Sequence, residues 1–137
     1  MNVDVALSRE LNIAFTEDMI LAYGGSGEHL HASASSAARL GFPALVSWGT
    51  LTVLPFTELL TRHAGPRWYV GGSLEVRLTK PVCAGDVVTY SLRATDSRSP
   101  LPDVWTLDLT AVSSRSGLVA TARATLKTTS VSKNGDH

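Results

Sequence analysis

The sequence has very little cysteine and no net charge. Of its 137 residues only Cys83 is a cysteine, which excludes an internal disulfide and a multi-cysteine metal site. Its position in a short turn indicates no role. Twelve Lys and Arg residues balance twelve Asp and Glu residues. Because no basic stripe alternates with aromatic residues, we expect no nucleic-acid partner.

Long apolar runs are also missing. No run approaches the length that a membrane-spanning helix needs, and the opening residues "MNVDVALSREL" lack the basic start and apolar core of a signal peptide. We therefore expect a soluble, cytoplasmic protein with no membrane contact. The length suits one domain, predicted over residues 1–128, followed by a polar, frayed tail at 129–137.

In the second half of the chain, apolar residues alternate with polar ones. From Trp68 onward this period of two separates four runs that predict strands, at 74–78, 88–94, 105–111 and 118–126. In the last run, Leu118 and the alternate residues after it are predicted to face the core. Turn residues between the runs favour an antiparallel meander.

The first half predicts one opening strand, at 10–15, and three helices. Thr16 is placed to cap the first helix, which runs to about Tyr23. The second is "SASSAARLG", ended by Gly41. The third, at 50–63, is apolar nearly all round and should be deeply buried. These elements predict an α+β fold in which a sheet of about five strands wraps a central apolar helix, and its open edges predict a homodimer.

Two stretches, "FTEDMILAYGGSGEHLHASASSAARLGFPALVSWGT" and "VRLTKPVCAGDVV", resemble a known family. Their order and spacing are similar to those of the MaoC-like, or hydratase-2, family of (R)-specific enoyl-CoA hydratases, which has the hot-dog fold. The resemblance implies a lyase that adds or removes water at the 2,3-position of an acyl thioester carried by CoA or a carrier protein. It implies no metal and no separate cofactor.

Carried over position by position, His31 falls on the family's catalytic histidine. Ser26 stands where the family has its catalytic aspartate, and Glu28 stands where it has an asparagine. Gly49 matches the glycine whose N–H helps to hold the thioester oxygen. Thr50 follows it at the predicted helix start and is assigned with it to substrate binding.

Hydration of an enoyl thioester requires a base, an acid and N–H donors for the enolate-like oxygen. His31 can supply the base, and the first turn that contains Gly49 can supply the donors. A serine hydroxyl stays protonated at neutral pH, so Ser26 is expected to hold a water, with Glu28 as the local carboxylate. A helical turn at 28–31 would place Glu28 beside His31, whereas an extended chain would place His29 there. The glycines permit both.

Other interpretations compete for the same residues. His29 is expected at the surface, and Trp48 is expected either in the core or in the wall of an acyl pocket. Ser47 lies in "ALVSWGT", which lacks the first glycine of a serine-hydrolase elbow. The alternatives for the whole protein are a hot-dog thioesterase, a non-catalytic acyl-binding or partner subunit, and an enzyme of secondary metabolism on the same fold.

Overall fold

The computed structural model describes residues 9–24, 29, 31–94 and 104–127, and within them an α+β fold. The described helices are α1 (Glu17–Gly24), α2 (Ala34–Arg39), α3 (Gly49–Ala64) and α4 (Pro66–Gly71). The strands are β1 (Arg9–Ala14), β2 (Ser73–Leu78), β3 (Val87–Ala94), β4 (Val104–Ser113) and β5 (Gly117–Lys127). They form one antiparallel sheet in the order β1-β3-β4-β5-β2. The predicted meander is therefore confirmed for β3, β4 and β5, but it was wrong for β2, which pairs with β5 at the edge of the sheet instead of with β3. None of the described helices is long and apolar enough to cross a membrane.

Local sequence signals explain where the helices begin and end. The Thr16 hydroxyl accepts the N–H of Met19 at 3.1 Å and caps α1 as predicted. Ser33 caps α2 in the same way, through the N–H of Ser36. Gly41, with φ at 92°, follows α2, and Gly65, with φ at 59°, follows α3; both lie in the left-handed region that favours glycine.

The core lies between α3 and the inner face of the sheet. The buried residues of α3 are Leu51, Thr52, Pro55, Phe56, Leu59 and Leu60. Phe56 meets the ring of Tyr90 edge-on, with centroids 5.2 Å apart. The hydroxyl of the fully buried Tyr90 donates to the backbone oxygen of Thr52 at 2.6 Å. This bond joins the central helix to the middle of the sheet.

Three further details differ from the sequence predictions. Residues 66–71 form a short helix, because Pro66 at its first turn favours helical geometry where the period of two had been extended back to Trp68. A register shift between Ala111 and Val112 pairs Val112 with Leu118 and leaves Val119 as the extra residue of a bulge. Leu118 is therefore exposed and Val119 is buried. The central helix is also not buried all round, since Leu54 is 47% exposed.

The predicted domain boundary at residue 128 and the predicted tail lie outside the described residues.

Candidate active site

The site is built on residues 45–49, which lead into α3. Ser47 donates its N–H to the backbone oxygen of Val82 at 2.7 Å, and Ala84 donates to that of Leu45 at 2.8 Å. Between these bonds, Val46 forms an isolated antiparallel bridge with Cys83. The segment is therefore fixed against the turn that follows β2.

His31 is held by the carbonyl of Val46. Its Nδ1 lies 2.8 Å from the Val46 oxygen. A carbonyl can only accept, so Nδ1 carries the hydrogen and Nε2 of the neutral ring keeps its lone pair. The ring also stacks on Trp48, with centroids 4.1 Å apart and planes 20° from parallel. Two contacts to one segment thus set both the tautomer and the ring plane of His31, the arrangement that a general base requires.

His29 completes an aromatic cluster with these two residues. Its ring centroid lies 5.8 Å from that of His31, and its ring meets Trp48 edge-on at 5.7 Å. The backbone turns after His29, since its oxygen accepts the N–H groups of Ala32 and Ser33. His29 is thus half-buried rather than at the surface as expected, and its ring lies close to the ring of His31.

Ser26 and Glu28 lie outside the described residues, so the predicted pairing of Glu28 with His31 stays a prediction.

Gly49 is the first residue of α3, as the sequence predicted to within one position. Trp48 precedes it as the N-cap and makes no side-chain capping bond. The first turn of a helix presents N–H groups that lack helical partners and carries partial positive charge. A Cβ at Gly49 would lie 3.2 Å from Cδ1 of Leu78. The glycine thus allows the side chain of Leu78 to lie close to the start of the helix.

A cavity of about 300 Å³ borders this helix start. Its walls include Ser47, Gly49, Thr52, Leu78, Lys80 and Val82. The Thr52 hydroxyl lies 3.0 Å from the Ser47 oxygen and 3.1 Å from the Trp48 carbonyl, and the Ser47 hydroxyl contacts the same carbonyl. Both hydroxyls therefore have partners within the fold, so neither is presented as a nucleophile.

Thr50 and Trp48 differ in what they offer to a ligand. The Thr50 hydroxyl accepts from that of Tyr23 at 2.8 Å, which ties the end of α1 to the start of α3. The indole nitrogen of Trp48 is buried and has no hydrogen-bond partner among the described residues. Of the predicted binding residues, Trp48 stacks on His31, and Gly49 and Thr50 follow it in the chain at the start of α3.

A charged cluster next to the site was not predicted from the sequence. Asp86, which is 3% exposed, accepts two bonds from Arg115 and lies beside Cys83. The bond to Asp86 raises the pKa of Arg115, and burial raises the pKa of the Cys83 thiol. Cys83 is thus a fully buried member of this cluster, where the sequence had indicated no role. Only the Gly-Asp of the "KPVCAGD" turn could have pointed to it.

Solved structures of known proteins share the fold of this chain. No family model and no curated protein matches the sequence. An (R)-hydratase from A. caviae involved in PHA biosynthesis superposes with a TM-score of 0.73 at 22% identity, over 93% of this chain and 98% of that one. A chain of the ChsH1-ChsH2 complex from Mycobacterium tuberculosis gives 0.72 at 22% identity, over 93% and 99%. The HadBC (3R)-hydroxyacyl-ACP dehydratase complex of that organism gives 0.64 at 18%, over 92% and 98%. The chain therefore has the hot-dog fold that these hydratases and dehydratases share.

Proposed function

We propose that the protein is a MaoC-like lyase that adds water to, or removes it from, the 2,3-position of an acyl thioester carried by CoA or a carrier protein. The observation that supports this most strongly is the bond between His31 Nδ1 and the Val46 oxygen. It leaves the lone pair of Nε2 available as a base, on a ring that stacks on Trp48, the residue before the first turn of α3.

In this proposal the thioester carbonyl accepts a hydrogen bond from the N–H of Gly49. For hydration, His31 Nε2 takes a proton from water as the oxygen attaches to C3. Electron density moves to the carbonyl oxygen, where the N–H donor and the positive end of α3 stabilise it. Protonation of C2 then completes the addition, and dehydration follows the same steps in reverse. Trp48 supplies an apolar wall and holds the His31 ring plane.

Ser26 and Glu28 are proposed to complete the acid–base set. Each follows from the resemblance, which places Ser26 at the aspartate position and Glu28 two residues later. A hydroxyl can hold the attacking water. A protonated Glu28 carboxyl group can give its proton to C2, and the resulting carboxylate then regains a proton from the protonated His31 ring.

The test is the loss of enoyl absorbance when the purified protein meets a panel of trans-2-enoyl-CoA esters. We expect His31→Gln, which keeps a hydrogen-bonding side chain but has no ring nitrogen to act as a base, to lower kcat by about a hundredfold or more. Ser26→Asp should raise kcat, because it places a carboxylate at the position of the family's aspartate. Retention of activity in His31→Gln would contradict the proposed base. Release of free thiol from saturated acyl-CoA would instead identify a thioesterase.

Ser26 also favours a second candidate, a non-catalytic subunit that binds an acyl group beside an active partner. Two of the structural neighbours, ChsH1-ChsH2 and HadBC, are described as complexes. In this case the wild-type protein binds enoyl-CoA without turnover, and activity appears only with a second, different chain.

We further propose that the protein forms a homodimer, because β1 and β2 are the two edges of the sheet and a second copy can cover one of them. We also propose that it is cytoplasmic, since its single cysteine fits a reducing compartment.

A further inference from the structure

The turn between β2 and β3 contains a buried carboxylate, Asp86, which pairs with the half-exposed Arg115 from the turn between β4 and β5. Asp86 Oδ1 accepts from Arg115 Nε at 2.8 Å, and Oδ2 accepts from Nη2 at 3.1 Å. Oδ2 also accepts the N–H of Cys83 at 2.9 Å. A bidentate guanidinium and a backbone donor together satisfy a carboxylate that is almost fully removed from water. The pair has a fixed geometry, which a solvated surface pair lacks.

The same guanidinium reaches further along the turn. Arg115 Nη2 lies 3.4 Å from the oxygen of Pro81 and 3.5 Å from the sulfur of Cys83. The backbone around Asp86 is joined to Phe15, whose N–H donates to the Asp86 oxygen at 2.9 Å. Residues 81–86 are thus held from both sides, by Arg115 and by the residue that follows β1.

This turn supports the site directly. Cys83 forms the isolated β-bridge with Val46. On either side of it, the backbone hydrogen bonds from Ser47 to Val82 and from Ala84 to Leu45 are short. Val46 in turn accepts the hydrogen of His31 Nδ1. A shift of the turn would therefore move the carbonyl that selects the His31 tautomer, together with the first residues of α3.

We propose that Arg115 and Asp86 are positioning residues, which hold the Val46 carbonyl in place and through it orient His31 and the start of α3. This rests on the proposed role of His31 as base, and neither residue is required to touch substrate. A displacement of about 1 Å at a base can cost about a hundredfold in rate. The ion pair thus contributes to catalysis through geometry.

The chain contains a matched control pair. Arg123 Nε and Asp108 Oδ1 lie 3.0 Å apart, with side chains 61% and 41% exposed. They stand on facing strands β4 and β5, on the outer side of the sheet, while the neighbouring Leu109 and Ala122 face the core. This pair joins the same two types of side chain, arginine and aspartate, and it lacks the contacts with residues 81–86 that connect Arg115 and Asp86 to Val46.

The experiment compares Arg115→Lys and Asp86→Asn with Arg123→Lys and Asp108→Asn. Lysine keeps the charge beside Asp86 but cannot make two parallel bonds, and asparagine keeps an acceptor for Cys83 but removes the charge. Both avoid the unpaired buried carboxylate that Arg115→Ala would leave. Two readouts are measured on variants whose circular dichroism matches the wild type: kcat and KM for an enoyl-CoA, and the ¹⁵N shifts of the His31 ring, assigned with His31→Gln.

We expect the neutral His31 ring of the wild type to carry its hydrogen on Nδ1. In Arg115→Lys and Asp86→Asn the signal should move toward the Nε2–H tautomer, and kcat should fall about tenfold or more while KM changes less than about twofold. The control variants should leave both readouts unchanged.

The inference is overturned if either folded variant at Arg115 or Asp86 keeps the wild-type ring signal and kcat, or if the control variants change them equally. If the wild type turns over no enoyl thioester, the proposed function fails. The ring signals still decide whether Arg115 and Asp86 position His31.

Discussion

At the scale of the residue, the missing side chain of Gly49 is as important as any side chain present. Its backbone has no positive φ, so alanine fits the local conformation. The added methyl would, however, lie 3.2 Å from Leu78 Cδ1 and would project into the cavity at the start of α3. Since Leu78 is 48% exposed, it can move aside. The substitution therefore tests access to the N–H donors with little cost to folding.

We expect Gly49→Ala to lower kcat/KM for an enoyl-CoA by about tenfold or more, and to change the free energy of unfolding by less than about 1 kcal/mol. Steady-state kinetics and urea unfolding measure the two quantities. Leu78→Ala alone is the control for the cavity wall. The double variant should remain impaired, because the methyl itself blocks the donor. Wild-type kinetics in Gly49→Ala would contradict a role for this N–H.

At the scale of the element, Tyr90 joins β3 to α3 through its hydrogen bond to Thr52, and the burial of its phenol makes stability depend on pH. Burial raises the pKa of Tyr90. In the unfolded chain the phenol loses its proton near pH 10, whereas in the folded chain it keeps it. The contribution is therefore complete below about pH 10 and is lost as the pH rises toward the folded value, by about 1.4 kcal/mol per pH unit.

Tyr90→Phe should accordingly be about 1 kcal/mol less stable than the wild type at pH 7, because it lacks the bond to Thr52. The difference should shrink above about pH 10, where only the wild type has the Tyr90 phenol to ionise on unfolding. Urea unfolding between pH 7 and pH 11 measures both effects. Tyr23→Phe, which removes a 46% exposed phenol, is the matched control. A constant difference across this range would show that Tyr90 does not contribute to the pH dependence.

The same scale shows what sequence patterns could and could not predict. The period of two located the four later strands, because burial on one face leaves a regular trace in sequence. The concentration of apolar residues at 50–63 located α3. The helix α4 was missed, since six residues are too few for a period to show. The bulge at Val119 was missed as well, because one extra residue changes the inward-facing side chains on only one side of the bulge. The predicted alternation therefore holds from Ala120 onward and fails at Leu118.

The candidate site divides in a similar way. His31 and Gly49 were identified through the resemblance, which compares local motifs. Their geometry depends on contacts between distant residues: Val46 lies 15 positions from His31, and Arg115 lies 29 from Asp86. No local pattern encodes such pairs. The glycines before His29 also leave the backbone so free that sequence alone allowed either arrangement of the two histidines.

At the scale of the whole molecule, the sheet has two edges, and β2 is the one that we expect a second copy to cover. Its inward-facing Leu78 is 48% exposed, and Leu74 and Val76 are only partly buried. Strand pairing would satisfy the free backbone groups and cover these side chains at the same time. The cavity beside Leu78 would then lie next to the partner, so that assembly and substrate binding would share one surface.

Sedimentation equilibrium should therefore give twice the chain mass at micromolar concentration. Amide exchange should be slower in β2 than in β1, the other edge, when both are followed in the assembled protein. Dilution until the mass falls to that of one chain should speed exchange in β2 and leave β1 unchanged. A single-chain mass at every concentration would exclude the homodimer. Slow exchange confined to β1 would instead place the interface at the opposite edge, away from the cavity, and would separate assembly from the site.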